Sequence, residues 1–315
     1  MTIALEAAQA AEGQRAPALL MPLVRELCDL KRVRSAGRSG SIAERMFADA
    51  WAQLACGADP ETVMRATLAR ALAATRLGDL DIATLAGVGV PAAEARAILR
   101  RGTAEAAAPL DAGWQDTLAD AWTTASGPAS RTEAGAPGFV MRLAEQPRAG
   151  ATCPGRGRLV LEPPESHADH CALVALIGAL MAPAWGADST TVFVAALAHH
   201  LHNALLPDAG FAGEVMLGEW LEPAMARATE LALNELPANP RALVVAARRI
   251  LPDAATPEGR AFHAADTLDR VLQVEHHLRA AGTTMRFVLR EMELVHAGPV
   301  RPFQQAVLAR MGLAA

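Results

Sequence analysis

The side chains best suited to chemistry in this chain are histidines, and they are concentrated in one stretch. All 9 histidines lie beyond residue 166, and five of them fall within a short segment: His167, His170, His199, His200 and His202. Imidazole is the commonest borderline metal ligand and titrates near neutral pH, so this concentration predicts a metal site. The alternative is that helix ends and surfaces have collected histidines without any ion.

The spacing of these histidines shows which of them can share an ion. His170 stands near the start of one apolar helical segment, and His199 and His200 stand around the end of a second. The side chains of adjacent residues on a helix point about 100° apart, so two such histidines can bind one ion only from opposite sides of it. A pair of this kind needs ligands from other helices, and His170 and the downstream Asp266 are available to supply them.

Three short motifs carry a family resemblance. A histidine heading one helix in ESHADH, a His-His pair in AALAHH and a lone aspartate in AADTL resemble the HD superfamily of metal-dependent phosphohydrolases, in particular its 5'-deoxynucleotidase-like branch. The resemblance covers roughly residues 156–290. It implies an HD-type helical bundle in which a divalent ion is held by His170, His199, His200 and Asp266.

Two positions depart from the family pattern. His200 stands where the family has the aspartate of its His-Asp dyad, and Asn203 stands where the nucleotidase branch has a catalytic glutamate. By the same resemblance, Asn203 and Asp208 occupy the catalytic positions and Arg158, ahead of the metal helix, contacts substrate phosphate. A site of three histidines and one aspartate has one negative charge fewer than the usual set. This favours a divalent transition metal (zinc, iron, cobalt, nickel or manganese) over magnesium.

The resemblance implies a metal-dependent phosphohydrolase acting on a nucleotide or another small phosphorylated metabolite. Because positions 200 and 203 have changed, the alternative is a degenerate HD domain that binds a ligand or partner without turnover. A competing register takes His202 and Asn203 as the dyad, but it moves Asp208 out of frame. A di-iron oxygenase would need two further histidines before Asp266, and only His202 and His263 are available.

Composition limits the remaining classes. The 315 residues are 52% hydrophobic with a formal net charge of −5, so no basic surface for nucleic acid is expected. No uninterrupted apolar run reaches the ~18 residues of a membrane span. The 4 cysteines show no metal-ligand spacing, and the first residues do not form a secretory signal, so we expect a cytoplasmic protein with reduced thiols. A homodimer is left open.

Helical periodicity with almost no alternating pattern predicts an all-α fold. We expect a separate small helical N-terminal domain at residues 1–110, a linker region with one helix at 111–155 and the HD-like metal-binding domain at 156–315. The low-complexity stretch 126–138 is the strongest boundary signal. The basic segment 31–38 is interpreted as a solvated helix end and loop, with phosphate binding as the alternative.

Overall fold

The computed structural model describes residues 18–124, 135–281 and 284–313. Within these residues every regular element is a helix, and strand-like pairing is limited to isolated β-bridges. The all-α prediction is therefore confirmed.

The helices follow one another with short connections. The α-helices are α1 (Met21–Asp29), α2 (Ile42–Ala55), α3 (Pro60–Leu77), α4 (Ile82–Gly87), α5 (Ala92–Ala106), α6 (Ala112–Thr124), α7 (Gly138–Glu145), α8 (His167–Met181), α9 (Ser189–Ala198), α10 (Gly210–Leu217), α11 (Leu221–Leu233), α12 (Ala238–Ala247), α13 (Pro257–Ala281) and α14 (Arg301–Arg310). Short 3-10 helices cover Ala182–Trp185, Leu201–Ala204, Gly218–Trp220 and Arg248–Ile250, and a π-helical turn covers Phe287–Glu291.

Helix α8 is the centre of the molecule. Ser166 caps it in a capping box with Asp169, and all its residues from His167 to Met181 are buried. It packs against α2, α9 and α13, which explains why it is apolar on every side. The segment His167–Trp185 is also long and apolar enough to cross a membrane, but 83% of its apolar window is buried inside the molecule, as in a core helix.

The N-terminal helices complete the core around α8. A capping box formed by Ser41 and Glu44 starts α2. Trp51 of α2 packs edge-on against Phe139 of α7, with ring centroids 4.8 Å apart, and a single cluster of buried residues joins α1, α2 and α3 to α8, α9 and α13. A separate N-terminal domain is not confirmed. The predicted boundary at 126–138 falls largely on residues 125–134, outside the described residues.

Three elements bring the predicted ligands to one place. His170 lies one turn into α8, and His199 and His200 follow directly after α9, where the chain passes into the 3-10 helix Leu201–Ala204. The long helix α13 packs on both α8 and α9 and presents Asp266 and Asp269 three residues apart, on the same helix face.

Candidate metal centre

His170, His199 and Asp266 converge at ligand distances. The Nε2 atom of His170 lies 3.1 Å from Nε2 of His199 and 3.2 Å from Oδ1 of Asp266, and His199 Nε2 lies 4.0 Å from the same oxygen. Two atoms that are each about 2.0–2.2 Å from one ion are about 3–4 Å apart. The three side chains are therefore placed as ligands of a shared ion would be.

The other ring nitrogen, Nδ1, of both His170 and His199 makes a hydrogen bond within the protein. Nδ1–H of His170 donates to Asp269 Oδ2 at 2.7 Å, and Nδ1–H of His199 donates to the carbonyl oxygen of Ala196 at 2.6 Å. These bonds fix the tautomer in which Nε2 carries the lone pair. Both lone pairs consequently lie beside Asp266, an arrangement typical of metal-binding imidazoles.

His200 joins the group differently. One ring nitrogen from each of His170, His199 and His200 lies within 4.8 Å of the others. However, His200 Nδ1–H donates to Asn203 Oδ1 at 2.8 Å, and a guanidinium nitrogen of Arg148 is 3.3 Å from His200 Nε2. Both ring nitrogens of His200 thus have protein partners.

The geometry bears on the competing register. The Asn203 amide binds His200 and the carbonyl oxygen of Leu206, and the His202 ring lies 5.5 Å from the His200 ring. The histidines grouped with His170 are His199 and His200. The structure thus favours the His199–His200 dyad over a dyad at 202 and 203.

The protonation states suit a transition metal. Burial, followed by the neighbouring histidine charges, holds the pKa of His199 and His200 well below the usual value, so both are neutral at pH 7. Burial opposes ionisation of Asp266, but the charge of Arg270 outweighs it and holds the Asp266 pKa well below its ordinary value. Neutral imidazoles with one carboxylate fit zinc, iron, cobalt, nickel or manganese. The donor set therefore fits the predicted ion.

Asp269 and Lys31 belong to the surroundings of the centre but were missed in the sequence. Lys31 lies just beyond α1, is 4% exposed, and donates from Nζ to Asp269 Oδ1 and to Glu165 Oε1, each at 2.7 Å. Interpreting the basic segment as solvated was wrong for Lys31. The spacing of Asp266 and Asp269 on one helix face was the available signal for Asp269; no local signal marked Lys31.

Asp208 holds the loop beside the centre. Its carboxylate accepts the backbone N–H groups of Ala149 and Gly210, each at 2.9 Å, and its Oδ2 lies 3.5 Å from Nε2 of the buried His167. Burial disfavours the charged form, but His167 and the charge of Arg148 outweigh it, so the pKa of Asp208 is lowered. Asp208 is therefore an ionised group that fixes two loops.

The arginine expected to contact phosphate does not touch the ligand cluster. Arg158 is exposed, and its guanidinium donates to the carbonyl oxygens of Ala149 and Ala209 at 3.4 Å. Two other arginines contact the ligands: Arg148 lies against His200, and an Arg270 nitrogen is 3.9 Å from Asp266 Oδ2. They line a small cavity of about 30 Å³ together with Glu165. Arg148 and Arg270 are thus better placed than Arg158 to meet an anion.

A larger cavity lies away from the histidines. It has a volume of about 300 Å³ and lies among the N-terminal helices, with Met46, Leu99 and Trp122 in its walls. None of the residues predicted for the metal centre lines it. Its size therefore gives no reason to move the candidate site.

Comparisons with protein-family models, with curated proteins and with solved structures found no match to this chain. The resemblance to the HD superfamily accordingly rests on the motif residues. The geometry at those residues is independent of it: one ring nitrogen from each of His170, His199 and His200 lies within 4.8 Å of the others, a spacing that could hold a metal ion.

Proposed function

We propose that this protein is a metal-dependent phosphohydrolase that acts on a nucleotide or another small phosphorylated metabolite. The observation that carries the proposal is the placement of His170 Nε2, 3.1 Å from His199 Nε2 and 3.2 Å from Asp266 Oδ1, beside two guanidinium groups. A transition-metal donor set next to arginines matches the needs of phosphate-ester hydrolysis. A cytoplasmic location and the absence of nucleic-acid and membrane partners stay predictions from composition, and a homodimer stays open.

The residues divide between holding an ion and meeting the substrate. His170, His199, His200 and Asp266 would hold the ion, which supplies an activated water and stabilises negative charge on phosphoryl oxygens. Arg148 and Arg270 can bind phosphate oxygens, because guanidinium groups pair with phosphate through two parallel hydrogen bonds.

Proton transfer needs a group other than Asn203, because an amide side chain does not act as a general acid or base at neutral pH. Glu214 in α10 is the candidate. Burial and the charge of Asp208 raise its pKa, while Arg270 and Arg148 lower it, so it lies within the electrostatic surroundings of the centre. A partly buried carboxyl with a raised pKa is the kind of group that general acid–base catalysis uses.

A second candidate function is ligand or partner binding without turnover. The observation that favours it is the closed environment of His200, whose ring nitrogens contact Asn203 and Arg148. A guanidinium in contact with a ligand nitrogen opposes a cation there, and Asn203 provides no acid. On this alternative the domain holds an ion or an anion but releases no phosphate.

The test combines metal analysis with phosphate release. Protein purified without chelator is analysed for bound metals, then stripped, reloaded with zinc, manganese, cobalt, nickel or iron, and assayed on nucleoside monophosphates and sugar phosphates. We expect bound metal and metal-dependent phosphate release that is absent in Asp266→Ala. Metal binding without phosphate release from any of these substrates would favour the binding module, and absence of metal binding would reject both the enzyme and the ion-holding form.

A further inference from the structure

Lys31 is the single lysine of a chain that contains 29 lysine and arginine residues. It lies between α1 and α2, far in sequence from the histidines, yet its ammonium group is buried beside the candidate centre. It bonds Glu165 and Asp269 at 2.7 Å each, and the side chains of all three are nearly inaccessible to solvent. A strongly arginine-biased composition thus has lysine at the buried basic position that pairs with Glu165 and Asp269.

The surroundings of Lys31 require a compact cation. Burial of an unpaired ammonium group is strongly disfavoured because its hydration is lost, and here two carboxylates surround it. An ammonium group is a point charge with three donors, whereas guanidinium is a broad planar fork. The gap between Glu165 and Asp269 therefore resembles a cation site that the protein fills with its own side chain.

The same gap also has the ligands of a metal site. Ligand atoms of Glu165, His170 and Asp269 all lie within 4.8 Å of one another, and all three residues are buried. Lys31 Nζ is at hydrogen-bonding distance from both carboxylates of this group. A divalent ion in this second group would have to displace the ammonium.

Lys31 also reaches His170 through Asp269. One oxygen of the Asp269 carboxylate accepts from Lys31, and the other accepts from His170 Nδ1–H at 2.7 Å. Because both oxygens are engaged, the carboxylate cannot rotate without breaking one bond. The His170 ring is held with Nε2 beside His199 and Asp266.

We propose that Lys31 is a positioning residue for the metal centre, which orients His170 through Asp269 and keeps the centre mononuclear by filling the neighbouring Glu165–Asp269 site with an ammonium group. This inference rests on the metal binding in the proposed function. It makes the segment after α1 a part of the centre and assigns Glu165 and Asp269 to a second cation position.

The test is a cobalt titration of the full chain after removal of bound metal. Wild type, Lys31→Met, Lys31→Met/Glu165→Gln and the control Arg34→Met are compared; Arg34 is an exposed basic residue of the same segment that pairs with Glu44. Methionine has a similar length to lysine without the charge. Stoichiometry, affinity and the visible absorption of bound cobalt are measured, and circular dichroism checks the fold of each variant.

We expect wild type and Arg34→Met to bind a single ion with the same spectrum. In Lys31→Met, affinity for that ion should fall by about 10-fold, the lower end of the range for losing a direct partner of a metal ligand, because Lys31 acts on His170 through Asp269; its spectrum should also change. A second ion should bind at higher cobalt concentration and be lost again in the double variant. A folded Lys31→Met with wild-type affinity, spectrum and stoichiometry would overturn the proposal.

Two further outcomes separate this inference from the proposed function. If Lys31→Met does not fold, Asp269→Asn leaves a single acceptor oxygen where Lys31 and His170 now have one each, so one of the two bonds is lost with little change of shape; weaker binding and an altered spectrum are expected, and wild-type values would overturn the proposal. If ion binding depends on Lys31 but no phosphate is released, the proposed phosphohydrolase function is rejected and the inference about Lys31 stands. A wild type that binds no ion would reject both.

Discussion

The two sides of the candidate centre are built differently. On one side, His170 and His199 donate their Nδ1–H groups to acceptors behind them and hold both Nε2 lone pairs beside Asp266. On the other side, His200 donates to Asn203 and faces Arg148 through its remaining nitrogen. The first side has the features of ion binding. The second carries both departures from the HD pattern, so it decides whether a bound ion supports turnover.

The cations on the two sides show the same contrast. Lys31 acts on His170 through the carboxylate of Asp269, which separates its charge from the ligand. Arg148 contacts the ligand candidate His200 directly. A positive charge behind a carboxylate orients a ligand, whereas a positive charge on the ligand itself competes with an ion unless a substrate anion draws it away. We infer that phosphate would pair with Arg148 on binding.

Replacing Asp266 should disable the first side and have the largest effect. Asp266→Ala removes the only carboxylate in the ligand set, so metal affinity should fall by at least about 100-fold, the upper end for losing a partner of a ligand, and metal-dependent turnover should vanish. Inductively coupled plasma mass spectrometry after dialysis measures the metal. Asp116→Ala, an exposed position on α6, is the control. Unchanged metal content in Asp266→Ala would show that the ion, if present, is held elsewhere.

Replacing Arg148, on the second side, should weaken the binding of a phosphorylated substrate. Arg148→Gln removes the guanidinium that lies 3.3 Å from His200, so KM for a phosphorylated substrate should rise by about 10-fold or more, as for a lost charged hydrogen bond of 1.5–3 kcal/mol. Steady-state kinetics at saturating metal measure it. Arg158→Gln should stay within about twofold, because Arg158 bonds backbone carbonyls. The reverse ranking would restore Arg158 to the substrate-contacting role.

Replacing His200 and Asn203 by the residues of the HD pattern should raise phosphate release. His200→Asp with Asn203→Glu supplies the missing dyad carboxylate and an acid, so we expect metal to be retained and phosphate release to rise by about 100-fold, the lower end of the range for one general acid–base group. His200→Asp alone should do less, because Asn203 loses the Nδ1–H that it now accepts. Loss of wild-type turnover in the double variant would instead mean that histidine at 200 serves its own chemistry.

Lowering the pH should modestly reduce the free energy of unfolding of the metal-free protein. Burial lowers the pKa of His167 and of His202 to about 4, whereas an unfolded histidine titrates near 6.5. At pH values between these two pKa values, the histidines are protonated in the unfolded chain but not in the folded chain. The free energy of unfolding of the metal-free protein should therefore fall as pH drops from about 6.5 to 4, by about 1–3 kcal/mol per histidine.

Urea unfolding of metal-free protein at pH 7.5 and pH 5 measures this loss. His167→Gln should make the pH dependence shallower. The lowered pKa of Asp208 acts in the same direction at lower pH, since its contribution to the free energy of unfolding is kept above about pH 4 and lost below. A wild-type slope in His167→Gln would mean that other groups carry the effect.

Some features were accessible from local sequence. The caps at Ser41, Asp59 and Ser166 depend on side chains that bond backbone N–H groups three residues away, so they could be predicted or recognised from short spacings. The ligand candidates were found because histidine is rare in this chain and clustered. Arg148 was missed because it lies farther from α8 in sequence than Arg158, although the bond from Arg148 N–H to the Glu165 carbonyl oxygen returns it to the start of α8.

The sequence by itself determined the all-helical fold, several helix boundaries and which residue types gather near positions 170, 200 and 266. These follow from periodicity, caps and composition, which act within a few residues of the chain. Tertiary structure alone decided that α2 packs on α8, that Lys31 enters the gap between Glu165 and Asp269, and that Arg148 reaches His200. Those contacts join distant segments, and a buried charge can be recognised as part of a site only once the packing has brought its partner within hydrogen-bonding distance.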